Sequence, residues 1–139
     1  MLAGADELRS FGRRRGRALS PRQAGLWREL LPRVAVPLQG AALANPLDLF
    51  AGNVREVWLE IGFGGGEHLL WQAERHPEAG ILGCEPFQDG VVKVLAALAE
   101  RDGGNIRVHA DDARPLIKQL PAASVARVFI LFPDPWPKR

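Results

Sequence analysis

The sequence predicts an α/β fold: a doubly wound parallel sheet whose strands are joined by crossover helices. From Glu56 onward, strand-like and helix-like segments alternate, which is the pattern of such a sheet. A glycine-rich run, 62–66, falls where the first strand hands over to the first helix. Val128-Phe-Ile-Leu-Phe132 is a continuous apolar run, as expected of a central strand buried on both faces.

Each element has a local reason. Residues 1–19 form a basic arm in which Arg9-Ser-Phe-Gly-Arg-Arg-Arg-Gly-Arg17 has no hydrophobic period, so disorder is expected there until a partner orders it. Ser20-Pro21-Arg22-Gln23 combines an N-cap serine, proline at the first helical position and glutamine three residues after the cap, which reads as a capping box. Leu26, Trp27, Leu30 and Leu31 then give a helical stripe expected to stop before Pro32. Residues 32–52 are rich in Pro, Ala and Gly without a clean period, so 20–54 reads as a helix followed by an irregular linker.

Within 55–139, the first strand is expected at 57–61, and a helix with Leu69, Leu70 and Ala73 on its apolar face runs from Glu67 to His76. The second strand spans 81–85. Val91, Val94, Leu95 and Leu98 then follow at helical spacing, and Gly103-Gly104 is expected to stop that helix. Ile106, Val108 and Ala110 alternate with Arg107 and His109 as a third strand. Asp112 is the candidate cap of a short helix through Leu116, Ile117 and Leu120 that halts at Pro121. Only seven residues follow the apolar run that ends at Phe132. Because an exposed hydrophobic edge invites aggregation, the chain reads as the front part of a larger doubly wound domain.

Composition narrows the class. With 47% hydrophobic and 24% charged residues, the chain fits one soluble globular domain and not a disordered or fibrous one. No apolar run approaches the roughly 18 residues of a membrane helix, so no membrane association is expected. The single Cys84 excludes an internal disulfide and a cysteine-based metal site. A reducing, cytoplasmic setting and no metal are therefore expected; the sequence does not give the oligomeric state, for which a monomer is the default expectation. The net charge of +2 conceals a split: residues 1–33 hold eight Arg against Asp6, Glu7 and Glu29, or +5, and the remainder is −3. A basic arm before an acidic body suits a protein that meets a polyanion with one end.

The chemistry-bearing residues gather at strand ends. In Glu60-Ile-Gly62-Phe-Gly64-Gly-Gly66-Glu67 the glycines do not follow the dinucleotide fingerprint, whose third glycine would stand where Glu67 does. An acidic residue beside the loop repels a pyrophosphate and welcomes a cation, and S-adenosylmethionine carries a sulfonium and an ammonium. Glu85 ends the second strand, where a carboxylate can accept from both ribose hydroxyls. Asp111-Asp112 ends the third, and one of the pair can receive an adenine amino group while the other caps the helix. Phe132-Pro-Asp134-Pro-Trp136-Pro-Lys138 follows the fourth, stiffened by its prolines, with an aromatic ring beside cations that suits a stacked base. His68, His76 and His109 show no visible partner and read as surface or packing residues.

Taken together, these motifs, with Gly83-Cys-Glu-Pro-Phe87, Asn105-Ile-Arg107, Asp111-Asp-Ala113 and above all Leu131-Phe-Pro-Asp-Pro-Trp-Pro-Lys138, resemble the bacterial tRNA (guanine-N7-)-methyltransferase family. The resemblance implies a Rossmann-like class I S-adenosylmethionine-dependent methyltransferase fold, with about four parallel strands present and 55–139 an incomplete methyltransferase domain. It implies S-adenosylmethionine as methyl donor, tRNA as partner and a guanosine of the variable loop as acceptor. Position by position, Glu60, Glu85, Asp112 and Asp134 match the family's cofactor-contacting acids, Gly62 belongs to the cofactor loop and Lys138 matches a substrate-contacting lysine. Asp112 is preferred over Asp111 because it directly precedes the alanine of the pattern, and Asp134 is the catalytic position nearest the transferred methyl. Since the family's members continue well past this element, the alternative reading is an inactive fragment that binds only cofactor or RNA.

Overall fold

The structure is a computed structural model that describes residues 18–38, 43–101 and 104–130. The arginine-rich arm and the segment holding Asp134, Trp136 and Lys138 lie outside the described residues. Helix α1 (Pro21–Glu29) leads into a short α2 (Leu31–Val34) and a 3₁₀ turn (Pro46–Leu49). Then come β1 (Glu56–Ile61), α3 (Glu67–Arg75), β2 (Ala79–Cys84), α4 (Gln88–Ala99), β3 (Ile106–His109), α5 (Ala113–Gln119) and β4 (Arg127–Ile130).

The capping box forms as the sequence predicts: Gln23 N–H donates to Ser20 Oγ at 3.1 Å, and Ser20 N–H donates to Gln23 Oε1 at 3.0 Å. Pro32 does not end the helical path. It occupies the first turn of α2, where its missing N–H would have had no partner in any case. The described parts of the stretch 32–52, at 32–38 and 43–52, are also more ordered than their composition suggests. Val36, Leu43 and Phe50 are buried in a core cluster, and Val36 N–H donates to Val108 O at 2.9 Å. These apolar contacts are long-range, so no local period announces them.

All strands are parallel, in the order β3-β2-β1-β4. Side chains alternate across the sheet, so Trp58, Glu60, Ile81, Ile106 and Val108 share one face. Leu69, Ala73, Val91, Val94, Leu95 and Leu98 of α3 and α4 cover that face. Leu59, Leu82 and Cys84 share the other face, against Val36, Phe50 and Leu116 of α5. The switch of faces has a cause. A right-handed crossover that steps from β1 to β2 to β3 keeps its helices on one side, and the return step to β4 must place α5 on the other. The order therefore reverses between β1 and β4, which is where open α/β sheets bind ligands.

β1 and β2 are buried along nearly their whole length. β4 departs from expectation. It pairs with β1 alone among the described strands, and Val128 and Ile130 are 53% and 59% exposed. Their register with Leu59 and Ile61 puts both on the α5 face, yet neither belongs to the core cluster on that face. Each forgoes roughly 1 kcal/mol of burial. Ile117 is likewise exposed rather than core, and α4 ends at Ala99, ahead of the expected glycine stop. Among the described residues no helix is long and apolar enough to cross a membrane, and no group of three or more His, Cys, Asp and Glu could hold a metal ion.

Candidate functional site

The C-terminal ends of β1, β2 and β3 converge on the glycine loop beside the order reversal. Gly62 and Gly64 have φ of +75° and +60°, and a Cβ on either would meet nothing within 4 Å. The loop thus presents bare backbone to open space, the arrangement that lets a ligand approach closely. Gly90, in the first turn of α4, does the opposite. A Cβ there would lie 2.0 Å from Gly64 O, so α4 packs directly against the back of the loop.

Glu85 fixes the loop's shape. Its Oε1 accepts from Gly64 N–H at 2.8 Å and its Oε2 from Phe87 N–H at 2.9 Å, with the residue 8% exposed. It stands one residue beyond β2 rather than inside it, and its own N–H still continues the ladder to His109 O at 3.1 Å. Each carboxylate oxygen has lone pairs beyond the one used, so a glutamate that organises the loop can still accept from a ligand's hydroxyls.

Glu60 lies on the α3 face of β1, 1% exposed. His68 Nδ1–H donates to its Oε1 at 2.7 Å, and Gln72 Nε2 donates to His68 Nε2 at 3.2 Å; together the two bonds assign the ring's tautomer. Burial pushes the Glu60 carboxyl above the usual carboxylate range, while the hydrogen bond from His68 pulls it back. His68 is therefore not the unpartnered residue that its sequence context suggested. The available signal was the i, i+4 pair His68 and Gln72 on the helix that covers the acidic strand position.

Asp111 and Asp112 differ in place, and Asp112 is the cap that the sequence proposed. Asp112 caps α5: its Oδ1 accepts from Arg114 N–H at 2.8 Å and from Arg114 Nε at 2.9 Å, and its Oδ2 accepts from Arg114 Nη2 at 2.6 Å. Asp111 Oδ1 accepts from Asp112 N–H at 2.7 Å. His109 Nε2–H donates to Asp112 O at 2.8 Å and holds this turn to the end of β3. Asn105, part of a sequence motif with no role assigned to it, donates through Nδ2 to Ala73, His76 and Ala79 carbonyls at 3.0, 3.1 and 2.8 Å, tying the end of α3 to β2.

The site thus brings together Glu60, Gly62, Gly64, Glu85 and the Asp111-Asp112 pair on one rim. Its character is acidic side chains around an open glycine backbone, a setting for a ligand that carries positive charge and hydroxyls. Cys84 adjoins it but is inert, because burial, Asp112 and Glu85 push its thiol up to about 12.

A family model described as "Putative methyltransferase" matches residues 54–139. Curated relatives named tRNA (guanine-N(7)-)-methyltransferase are similar along nearly the whole chain. The one from Paramagnetospirillum magneticum is 50% identical over 98% of this chain and 58% of its own length. Those from Rhodopseudomonas palustris and Hyphomonas neptunium are 52% and 51% identical, over 93% and 95% of this chain and 51% and 59% of theirs. The chain thus spans little more than half the length of these relatives. A solved structure titled an antibiotic-related methyltransferase has a TM-score of 0.48 at 16% identity, covering 88% of this chain and 51% of that one. With the family model matching the whole stretch from before β1 to the last residue, the chain belongs to this methyltransferase family.

Proposed function

We propose that this chain is the cofactor-binding part of an enzyme that transfers a methyl group from S-adenosylmethionine to N7 of a guanosine in tRNA. The observation that carries the reading is the Glu85 carboxylate locked to Gly64 N–H at the reversal of strand order, with a second buried acid, Glu60, beside it. Charge favours this cofactor over a dinucleotide: two buried carboxylates beside the loop disfavour a pyrophosphate and favour a sulfonium and an ammonium. The loop also fits it sterically, since Gly62 and Gly64 leave open space over the backbone.

When bound, the cofactor supplies an electrophilic methyl group. The chain's own residues then hold it: Glu85 receives the ribose hydroxyls, and Glu60 faces the amino-acid end. The Asp111-Asp112 pair reads adenine, with Asp112, which directly precedes Ala113 as in the family pattern, as the contact. Guanine N7 has an unprotonated lone pair, so attack needs no general base and positioning dominates the rate. The family resemblance assigns Asp134 to the reacting end, where a carboxylate offsets the charge that develops on the purine. It assigns Lys138 to the RNA. The arm holding Arg9 to Arg17 contacts tRNA phosphates, which makes RNA affinity fall steeply with salt. A reducing, cytoplasmic setting completes the reading.

Calorimetric titration of S-adenosylmethionine into the folded chain, with NAD as control, tests it. Selective binding of S-adenosylmethionine is expected, with Glu85→Ala weakening it while tRNA affinity is retained. Binding of NAD in preference refutes the assignment.

A further inference from the structure

A buried carboxylate is costly unless its oxygens are bonded, and an apolar residue would sit at position 60 with less penalty. Glu60 is held there from α3 by one group, His68, at 2.7 Å. That group is itself held twice. Gln72 bonds its far nitrogen at 3.2 Å, and its ring meets Phe129 of β4 edge-on at 5.1 Å between centroids. One imidazole thus joins β1, α3 and β4, the three elements that border the reversal of strand order. Glu60 Oε1 is committed to His68, while the described residues give Oε2 no hydrogen bond.

We propose that His68 is a positioning residue for the cofactor: by holding Glu60 through Oε1, it keeps Oε2 available for the ammonium group of S-adenosylmethionine. This rests on the function proposed above. It adds a residue that touches no ligand itself, and whose effect must pass through Glu60.

The test is calorimetric titration of S-adenosylmethionine into the full chain and its variants, with thermal melts in the same buffer. His68→Phe keeps the ring beside Phe129 without a donor. His68→Gln keeps polarity but places its donor at the wrong reach, and His68→Asn places an amide N–H close to where Nδ1–H stood. The expected result is a loss of about tenfold or more in affinity for His68→Phe and His68→Gln, with His68→Asn within about threefold of the wild type. In a Glu60→Gln background, His68→Phe should change affinity by less than about twofold, because the route is already cut. An equal loss in both backgrounds, or affinity losses that track melting temperature for all three variants alike, overturns the proposal in favour of a structural role. Unchanged affinity of the two donor-deficient variants overturns it as well. Wild-type chain that fails to bind S-adenosylmethionine refutes the underlying functional reading and this proposal together, whereas wild-type binding with unaffected variants refutes this proposal alone.

Discussion

Gly90→Ala sets two physical rules against each other. Gly90 lies inside α4, where alanine is favoured over glycine by about 1 kcal/mol on helix propensity alone. A Cβ at that position, however, would stand 2.0 Å from Gly64 O and 2.9 Å from Gly64 C. Ordinary carbon–oxygen contact is roughly 3.2 Å, so loop and helix must separate by about 1 Å, and the obstructing atoms are backbone that cannot rotate away. Overpacking of this kind costs about 1–3 kcal/mol. The separation also stretches the 2.8 Å bond from Gly64 N–H to Glu85, a charge-assisted bond that contributes about 1.5–3 kcal/mol. Subtracting the propensity gain leaves a net loss of about 3 kcal/mol, or a fall in Tm of roughly 12 °C for a chain of this size. Urea denaturation followed by circular dichroism measures it, with Gly25→Ala as the internal control. In α1 the nearest atom to a new Cβ at Gly25 is Arg28 Nη2 at 3.8 Å, so propensity acts unopposed and a gain of about 0.5–1 kcal/mol is expected. A Gly90→Ala chain as stable as the wild type would refute the close-approach argument, and a gain equal to that of Gly25→Ala would show that the loop yields freely.

Three further outcomes follow from the geometry. Cys84 should resist a thiol reagent at pH 8 in the native chain and react promptly in denaturant, since a thiol at about 12 is thiolate on the order of one part in ten thousand at that pH; rapid native labelling would contradict its burial. Ser20→Ala should lower stability by about 1 kcal/mol through loss of one half of the capping box, and hydrogen exchange should localise the change to the first turn of α1. Glu60, whose carboxyl burial raises, binds its proton more tightly folded than unfolded. The associated stability is fully present below the unfolded carboxylate range and is lost as pH rises through the folded value. Glu60→Gln should therefore gain stability relative to the wild type as pH rises through that interval, and a pH-independent difference would show that the carboxyl is not shifted.

What could be read locally was read well. The capping box, the strand-to-helix alternation and the glycine loop depend on residues within a few positions of one another, and turn and helix chemistry act at that range. The apolar run 128–132 reads as a central strand covered on both faces, a description that β1 and β2 meet. Val128 and Ile130 show where that inference stops. An apolar strand records the burial it is suited to, whereas its neighbours decide the burial it has, and here β4 stands at the edge of the described sheet.

The site divides in the same way. From the sequence alone came the type of each residue at each strand end: Glu60, Glu85 and the paired aspartates, with glycines between them. Only the tertiary structure decided which partners those acids hold. Glu85 meets Gly64 across 21 positions, and Glu60 is claimed by a histidine that showed no partner in the sequence. Gly90 turned from a helix residue into the surface on which the loop rests. The reason is physical: a propensity is summed along the chain, but a hydrogen bond or a steric contact needs two groups within about 3 Å, and parallel register and crossover handedness set that distance.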